Sequence, residues 1–142
     1  MKPSLLTTPR LARFRLVSTN CELPNPLAEP ESLNLEMNHE VNFLPNDGGK
    51  VQTFSLATTT TIIGNDTDGT ELLRMNCSFL AEYIFSDKSL QAKDFEPATE
   101  YFSNQIYLLI RAYVLNTLLD MGINGGVFPF SLKPGQLKNQ SK

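Results

Sequence analysis

The sequence predicts an α+β fold in which a four-stranded antiparallel sheet is followed by one long helix and an extended crossover-type loop. Two observations support this prediction. Apolar and polar residues alternate in four segments before residue 86, and short turns rich in proline, glycine, asparagine or aspartate separate these segments. One long apolar segment then runs from Pro97 to about Met121 and is followed by glycines, which commonly end helices. Alternation with a period of two indicates strands that have one buried and one solvent-facing side.

The clearest alternation is LNLEMNHEVNF, residues 33–43, in which apolar residues occupy nearly all the odd positions. Asn-Asp-Gly-Gly follows at residues 46–49, and its Asp-Gly and Gly-Gly pairs readily adopt the positive φ angles of a tight hairpin turn. VQTFSLATTTTII, residues 51–63, fits a returning antiparallel strand, because β-branched threonines favour extended backbone. Together these segments predict a β-hairpin.

Two further strands complete the predicted sheet. After a polar turn, ELLRMNCSFLAEYIF, residues 71–85, has an apolar residue at every odd position from Leu73 to Phe85. Upstream, ARFRLVSTNCELPN, residues 12–25, alternates over a shorter length and runs into Pro24. A terminal proline costs no ladder hydrogen bond at the edge of a sheet, so this segment predicts an edge strand.

The predicted helix is apolar on nearly all of its sides. Pro97 suits its first turn, and Gly122 suits a left-handed cap at its end. One sheet can cover only one side of such a helix, so we expect the remaining side to contact a second copy of the chain or a bound substrate. The apolar residues assigned to the main buried side are Phe102, Ile106, Leu109, Ile110 and Tyr113, and those assigned to other sides are Tyr101, Leu108, Ala112, Leu115 and Leu119.

Length and composition predict one domain that spans residues 1–142, with flexible tails at residues 1–11 and 135–142. A chain of 142 residues, 41% of them hydrophobic, can bury one good core but hardly two. The formal net charge of -3 argues against a nucleic-acid partner, which needs basic surface to displace counterions from phosphate.

The most apolar stretch of the chain is too often interrupted to insert into a membrane. It carries Arg111, Asn116 and Asp120, whereas a membrane span needs about 20 predominantly apolar residues. Two cysteines, Cys21 and Cys77, are too few for a disulfide framework and fit a reducing compartment. We therefore expect a cytoplasmic protein.

Three motifs, in this order and on these elements, resemble the SecB family of export chaperones. Glu-Leu-Pro-Asn, residues 22–25, is similar to the Glu-x-Pro-Asn that closes the first strand of the family. NQIYLLIR, residues 104–111, resembles the opening of its long helix. Phe128-Pro129, followed by Leu132, resembles the start of its crossover loop. The resemblance covers most of the chain, roughly residues 12–132.

The resemblance implies a chaperone that uses neither ATP nor a metal and that assembles as a dimer or a dimer of dimers. Such proteins hold unfolded preproteins, or a specific labile client such as an antitoxin, in long hydrophobic grooves. If the crossover loop is extended, Phe128 and Phe130 project from the same side of it and can line such a groove. The polypeptide-binding residues predicted here are Val127, Phe128, Phe130, Leu132, Tyr101 and Tyr113.

The resemblance also implies an acidic sheet face that docks the SecA motor. The candidates for this face are Glu22, Glu36 and Glu40. The sequence departs from the family here, because Arg74 falls on the same solvent-facing side, and delivery to SecA is therefore not expected. The family's second helix also has no expected counterpart, since only GQLKNQSK follows Pro134.

A second class of function stays open on the residues alone. His39, the only histidine, falls on the buried side of the clearest strand, where it could be a general base in a small-ligand enzyme of the hot-dog kind. The structural interpretation of the same residue is a core histidine with satisfied hydrogen bonds. In a chaperone, His39→Asn leaves client binding intact and Phe128→Asp abolishes it. In an enzyme the two effects are reversed.

Overall fold

A computed structural model of the chain describes residues 8–23, 34–46, 52–66, 68–123 and 137–139. These residues form one sheet with a single long helix packed on one of its faces, which confirms the predicted α+β architecture. The elements, in chain order, are β1 (Arg10–Glu22), β2 (Asn34–Asn46), β3 (Thr53–Asn65), β4 (Glu71–Ile84), a 3-10 helix (Ala92–Ala98), α1 (Thr99–Asp120) and β5 (Leu137–Asn139).

The strand order in the sheet is β1-β4-β3-β2-β5. The strands β2, β3 and β4 pair antiparallel as consecutive neighbours, and β1 joins the outer side of β4, also antiparallel. The register aligns inward residues across the strands: Val41 lies opposite Thr58, which lies opposite Phe79. The apolar sides of the alternating segments therefore form one continuous face. In this order β1 has β4 as its only neighbour, so the prediction of an edge strand at residues 12–25 is confirmed.

Both predicted tails contribute residues to the sheet. The strand β1 begins at Arg10, inside the segment 1–11, and β5 lies within the segment 135–142. β5 runs parallel to β2 and pairs with residues 39–41. The physical reason is that the outer edge of β2 presents backbone N–H and C=O groups that need partners, and a short strand supplies them. The sheet therefore has a fifth strand that the sequence did not predict.

The helix starts two residues later than Pro97 and ends as predicted. Pro97 lies inside the 3-10 helix that leads into α1, where its lack of an N–H removes no α-helical hydrogen bond. At the C-terminus Gly122 has a φ of +80°. Its N–H donates to the carbonyl of Leu119 at 2.9 Å, and the N–H of Ile123 donates to that of Leu118 at 2.8 Å. This pair of bonds is the Schellman arrangement of a left-handed cap.

The core lies between the inner face of the sheet and one side of α1. Phe54 on β3 is fully buried at its centre. Five other rings have centroids between 5.1 and 6.3 Å from that of Phe54, and they come from β2, β4, the segment that connects β4 to α1, and α1 itself. These neighbours are Phe43, Tyr83, Phe85, Phe95 and Phe102. A single side chain thus joins both layers of the fold.

We expect Phe54→Ala to lower the free energy of unfolding by about 3–5 kcal/mol, because it leaves a cavity among rings that cannot all move inward. Urea unfolding followed by circular dichroism measures this loss. The control is Val17→Ala, since Val17 on β1 is 63% exposed and its substitution should change the stability little. Similar losses in the two variants would contradict this account of the core.

Candidate functional site

One side of α1 lies on the sheet, and none of the described residues covers the opposite side. The buried residues repeat every three or four positions, as a helix face requires. They are Thr99, Phe102, Ser103, Ile106, Tyr107, Ile110, Val114 and Leu118. On the rest of the helix the large apolar residues Tyr101, Leu108, Leu109 and Leu119 are 45–60% exposed. The prediction of apolar residues on sides that the sheet does not cover is therefore confirmed.

Five apolar residues on the side of α1 away from the sheet form a stripe along the helix, which we call the outer stripe. Its members are Tyr101, Leu108, Ala112, Leu115 and Leu119. At about 100° per residue they lie within about 60° of one another and directly opposite Ile110. With Gln105 they are spaced alternately by four and three residues, which is the spacing of a coiled-coil seam. The outer stripe therefore has the pattern of a helix that packs against another helix.

The assignment of Leu109 to the main buried side of the helix is wrong. Leu109 is 45% exposed, whereas the neighbouring Ile110 is fully buried. Leu109 lies about 100° from Ile110 around the helix, beyond the part that reaches the sheet. The exposure of Leu109 therefore makes the exposed apolar surface of α1 wider than the sequence analysis predicted.

The two tyrosines predicted to bind polypeptide do not share a surface. Tyr101 lies in the outer stripe and is 56% exposed. Tyr113 is half-buried and packs edge-on against Phe79 at 5.3 Å, and Phe79 stacks on Phe14 of β1 at 5.0 Å. A separation of twelve residues places the tyrosines about 18 Å apart along the helix and about 120° apart around it. Tyr101 thus faces away from the sheet, and Tyr113 lies toward β1.

A second half-buried apolar margin lies on the opposite side of the helix, along β2. Leu35 and Met37 of β2, and Leu115 of α1, pack against the core but are only partly buried. The hydroxyl of Tyr107 lies 3.9 Å from the sulfur of Met37, so this side of α1 contacts β2 directly. We call Leu35 and Met37 the β2 margin. Sequence reasoning missed it as a surface, although the alternation correctly placed Leu35 and Met37 on the apolar side of their strand.

The predicted loop residues Val127, Phe128, Phe130 and Leu132 lie outside the described residues. They fall between Ile123, which follows α1, and β5 on the edge of β2. Their role in polypeptide binding stays a prediction.

The three predicted docking carboxylates are on the same face of the sheet, but they do not form a continuous acidic surface. Glu36 and Glu40 are on β2, whereas Glu22 is at the far edge on β1. Arg74 lies directly opposite Glu22 in the register. It also forms a 2.7 Å ion pair with Glu71, and hydrogen bonding to this carboxylate, with a smaller contribution from Glu22, raises the pKa of Arg74. A cation therefore separates the acidic positions.

His39 is fully buried between the sheet and the helix. Its Nδ1 lies 2.8 Å from the hydroxyl of Thr60, and its Nε2 lies 3.5 Å from that of Ser103. The Tyr107 ring approaches it edge-on at 6.2 Å. Burial lowers the pKa of His39 to about 4, so the imidazole is neutral at pH 7. Within the described residues its partners are hydroxyl groups of β3 and α1, which is the arrangement of a core histidine and not of a base oriented by a carboxylate.

A cavity of about 230 Å³ lies at the end of the sheet next to the 3-10 helix, and His39 is not part of its lining. Gln52 shapes this cavity by donating from its side-chain amide to the carbonyls of Asp87 and Leu90, each at 3.1 Å. The lining residues are Asn46, Gln52, Phe85, Leu90, Gln91, Ala92 and Lys93. The enzyme hypothesis needed His39 in such a space, and the geometry does not bring the two together.

Cys77 is not activated as a nucleophile in this structure. Cys77 is buried, and this burial raises the pKa of its thiol to about 12, so the thiolate nucleophile does not form near pH 7. Across the described ranges, no group of three or more His, Cys, Asp or Glu side chains is placed to hold a metal ion.

None of the helical residues described forms a segment long and apolar enough to cross a membrane.

The strand order and the single long helix define a SecB-like fold, as the three sequence motifs predicted. No family model and no curated protein sequence matches the chain. Among solved structures, the chain is similar to the Mycobacterium tuberculosis SecB-like chaperone Rv1957, in complex with a ChAD peptide from the Rv1956 HigA1 antitoxin. The TM-score is 0.67, the match covers 88% of each chain, and the sequence identity is 14%.

We expect the free energy of unfolding to fall as the pH falls from about 6.5 to about 4. In this window the unfolded chain binds a proton at His39, with a pKa near 6.5, while the folded chain, with a pKa of about 4, does not. Protonation therefore favours unfolding, and a difference of about 2.5 pH units corresponds to about 3 kcal/mol at pH 4.

Urea unfolding at pH 7, 5.5 and 4 measures this dependence. His39→Asn is the control, because asparagine can still hydrogen-bond to Thr60 but does not titrate. Carboxylates titrate equally in both proteins, so the difference between their pH-dependent losses of stability is the contribution of His39. An identical loss of stability in both proteins would show that His39 is not held neutral by the fold.

Proposed function

We propose that this protein is a chaperone that holds non-native polypeptide on apolar surface next to α1 without using a nucleotide. The observation that carries the proposal is the exposed apolar surface of α1 on a SecB-like fold. A surface of leucine and tyrosine recognises apolar character rather than one sequence, and aromatic rings supply contact area at little cost in rotamer entropy. Both properties suit a protein that binds unfolded chains.

We place the client along the two sides of α1, toward β1 and toward β2. Tyr101 lies at the N-terminal end of the outer stripe, Tyr113 lies on the side toward β1, and the β2 margin lies on the other side. Val127, Phe128, Phe130 and Leu132 are proposed to add a client-facing strip between the end of α1 and β5. The loop would then extend the apolar surface that the helix begins.

An antitoxin-like client is the best-supported class of partner. The similar Mycobacterium tuberculosis chaperone is in complex with an antitoxin peptide, so the fold accommodates a peptide of that kind. Delivery of preproteins to SecA is not part of the proposal, because Arg74 interrupts the acidic face of Glu22, Glu36 and Glu40. The proposed role is protection of a labile client in the cytoplasm.

The outer stripe also supports a homo-oligomer. Coiled-coil spacing over residues 101–119 fits the helix of a second copy better than it fits an irregular client. A dimer, or a dimer of dimers, would cover Leu108, Ala112, Leu115 and Leu119 and leave the two sides of α1 toward β1 and β2 open. Assembly and client binding then use different parts of the same helix.

We expect light scattering in dilute buffer to give a mass at least twice the 15.9 kDa of the chain. Leu108→Asp should shift this mass toward that of a monomer, because it places a charge in the middle of the outer stripe. Leu44→Asp is the matched control, since Leu44 is similarly exposed but lies on β2. A folded monomer for the unchanged chain would contradict the assignment of the outer stripe to a second copy.

We expect the protein, at stoichiometric amounts and without nucleotide, to delay the aggregation of reduced insulin. Phe128→Ala combined with Phe130→Ala should lower the affinity for unfolded polypeptide about tenfold or more while changing the thermal midpoint by only a few degrees. The physical reason is that rings in the proposed client-facing strip would bind the client but stabilise the fold little, whereas a buried Phe→Ala change costs about 3–5 kcal/mol.

Turbidity measures the aggregation, and a thermal melt measures the midpoint. His39→Asn is the control for the enzyme hypothesis and should leave client binding unchanged. If the unchanged chain does not delay aggregation, the chaperone proposal fails. If the double variant melts at a much lower temperature, the two rings belong to the core.

A further inference from the structure

The C-terminal strand β5 occupies only a small part of the edge on which it lies. β2 has 13 residues, and β3 pairs with all of them from Asn34 to Asn46 along one side. On the other side β5 pairs with residues 39–41 alone. Among the described residues, no other strand reaches this edge. Within the described part of the chain, most of its length is therefore unpaired and available to an extended chain.

An open strand edge is a template for strand addition. Its N–H and C=O groups bind any extended backbone, whatever the side chains, and pockets beside the edge then select the sequence. A parallel strand of three residues makes few hydrogen bonds, and parallel pairing is slightly weaker per residue than antiparallel pairing. The contact made by β5 is thus of the kind that a longer segment can replace.

The side chains along the open part of β2 suit a client of alternating character. Leu35 and Met37 are half-buried on the inner side of the strand, and Glu36 lies on the outer side. In the register of β5, Lys138 takes the position beside Glu40, an acidic residue of β2. An extended client that alternates apolar residues with polar or basic ones would match both sides of this edge.

We propose that the outer edge of β2 is where the backbone of an extended client adds to the sheet, and that Leu137–Asn139 occupies this edge as an intramolecular competitor. The proposal rests on the proposed chaperone function and names the way in which that function is regulated. A client binds only to the fraction of molecules in which the edge is open, so its apparent affinity is reduced by that fraction.

The test uses the full chain with Leu137→Pro, Lys138→Pro and Asn139→Pro, because proline has no N–H and cannot pair in a ladder. The probe is fluorescein-labelled, reduced and carboxymethylated α-lactalbumin, and fluorescence anisotropy gives its Kd. If β5 is docked in about nine of ten molecules, the variant should bind the probe about tenfold more tightly. The matched control is Gln140→Pro, Ser141→Pro and Lys142→Pro, which should leave the Kd unchanged.

Hydrogen exchange followed by NMR identifies the edge directly. In the unchanged chain, saturating probe should slow exchange of the β2 amides that face away from β3, including those outside residues 39–41. In the β5 variant without probe, protection within residues 39–41 should fall, while the strands β3 and β4 remain protected. Retained protection in β3 and β4 shows that the variant is folded.

Three results would overturn the proposal. The first is an equal Kd for the unchanged chain and the β5 variant, with the probe bound by both, and this result leaves the chaperone function standing. The second is a β5 variant that gains mass by light scattering without gaining affinity for the probe, which assigns the edge to a second copy of the chain. The third is no binding of the probe by either protein, in which case the proposed function fails as well.

Discussion

The structure depends on one constraint: a single helix must cover the whole apolar face of the sheet, and it is too narrow to do so. An α-helix with its side chains is about 10–12 Å wide, whereas four strands at about 4.8 Å spacing extend over about 19 Å. The helix covers the centre, where Phe54 and the inner residues of β4 are fully buried. Toward both edges of the sheet some apolar residues are only partly buried, as Phe14 on β1 and Met37 on β2 show.

Because the helix covers only the centre of the sheet, the two edges differ in how they are protected. β1 is exposed over most of its length, and its pairing with β4 shifts register at two points. Its arginines, Arg10, Arg13 and Arg15, place charge along the edge, which opposes unspecific strand pairing. The other edge, on β2, has half-buried apolar residues beside it and is only partly paired by β5. Of the two edges, the one on β2 is better suited to an extended apolar client.

The same constraint connects the fold with the proposed function. Exposed apolar surface marks a place for a partner, and the described residues offer three such places: the outer stripe, the β2 margin, and the side of α1 toward β1 on which Tyr113 lies. The side toward the sheet contains the hydroxyl partners of His39 and the rings around Phe54, where nothing reactive is exposed. The apolar surface of α1 and of the β2 edge is what connects this fold with the proposed binding function.

The alternation of residues by itself determined the strands β1 to β4, their order along the chain and the faces that they bury. Gly122 likewise specified the helix end, because a left-handed residue favours glycine whatever surrounds it. These features follow from local backbone geometry. The sequence also showed that α1 is apolar on most of its sides, and it identified Tyr101 and Tyr113 as candidate polypeptide-binding residues.

Only the tertiary structure decided which of these apolar residues are covered. It exposed Leu109, packed Tyr113 against Phe79 of β4, and gave His39 two hydroxyl partners from other elements. It also paired β5 with β2, which no pattern in three residues could predict. Each of these outcomes depends on residues far apart in the chain, and local periodicity specifies only how side chains alternate, not which distant segment they will meet.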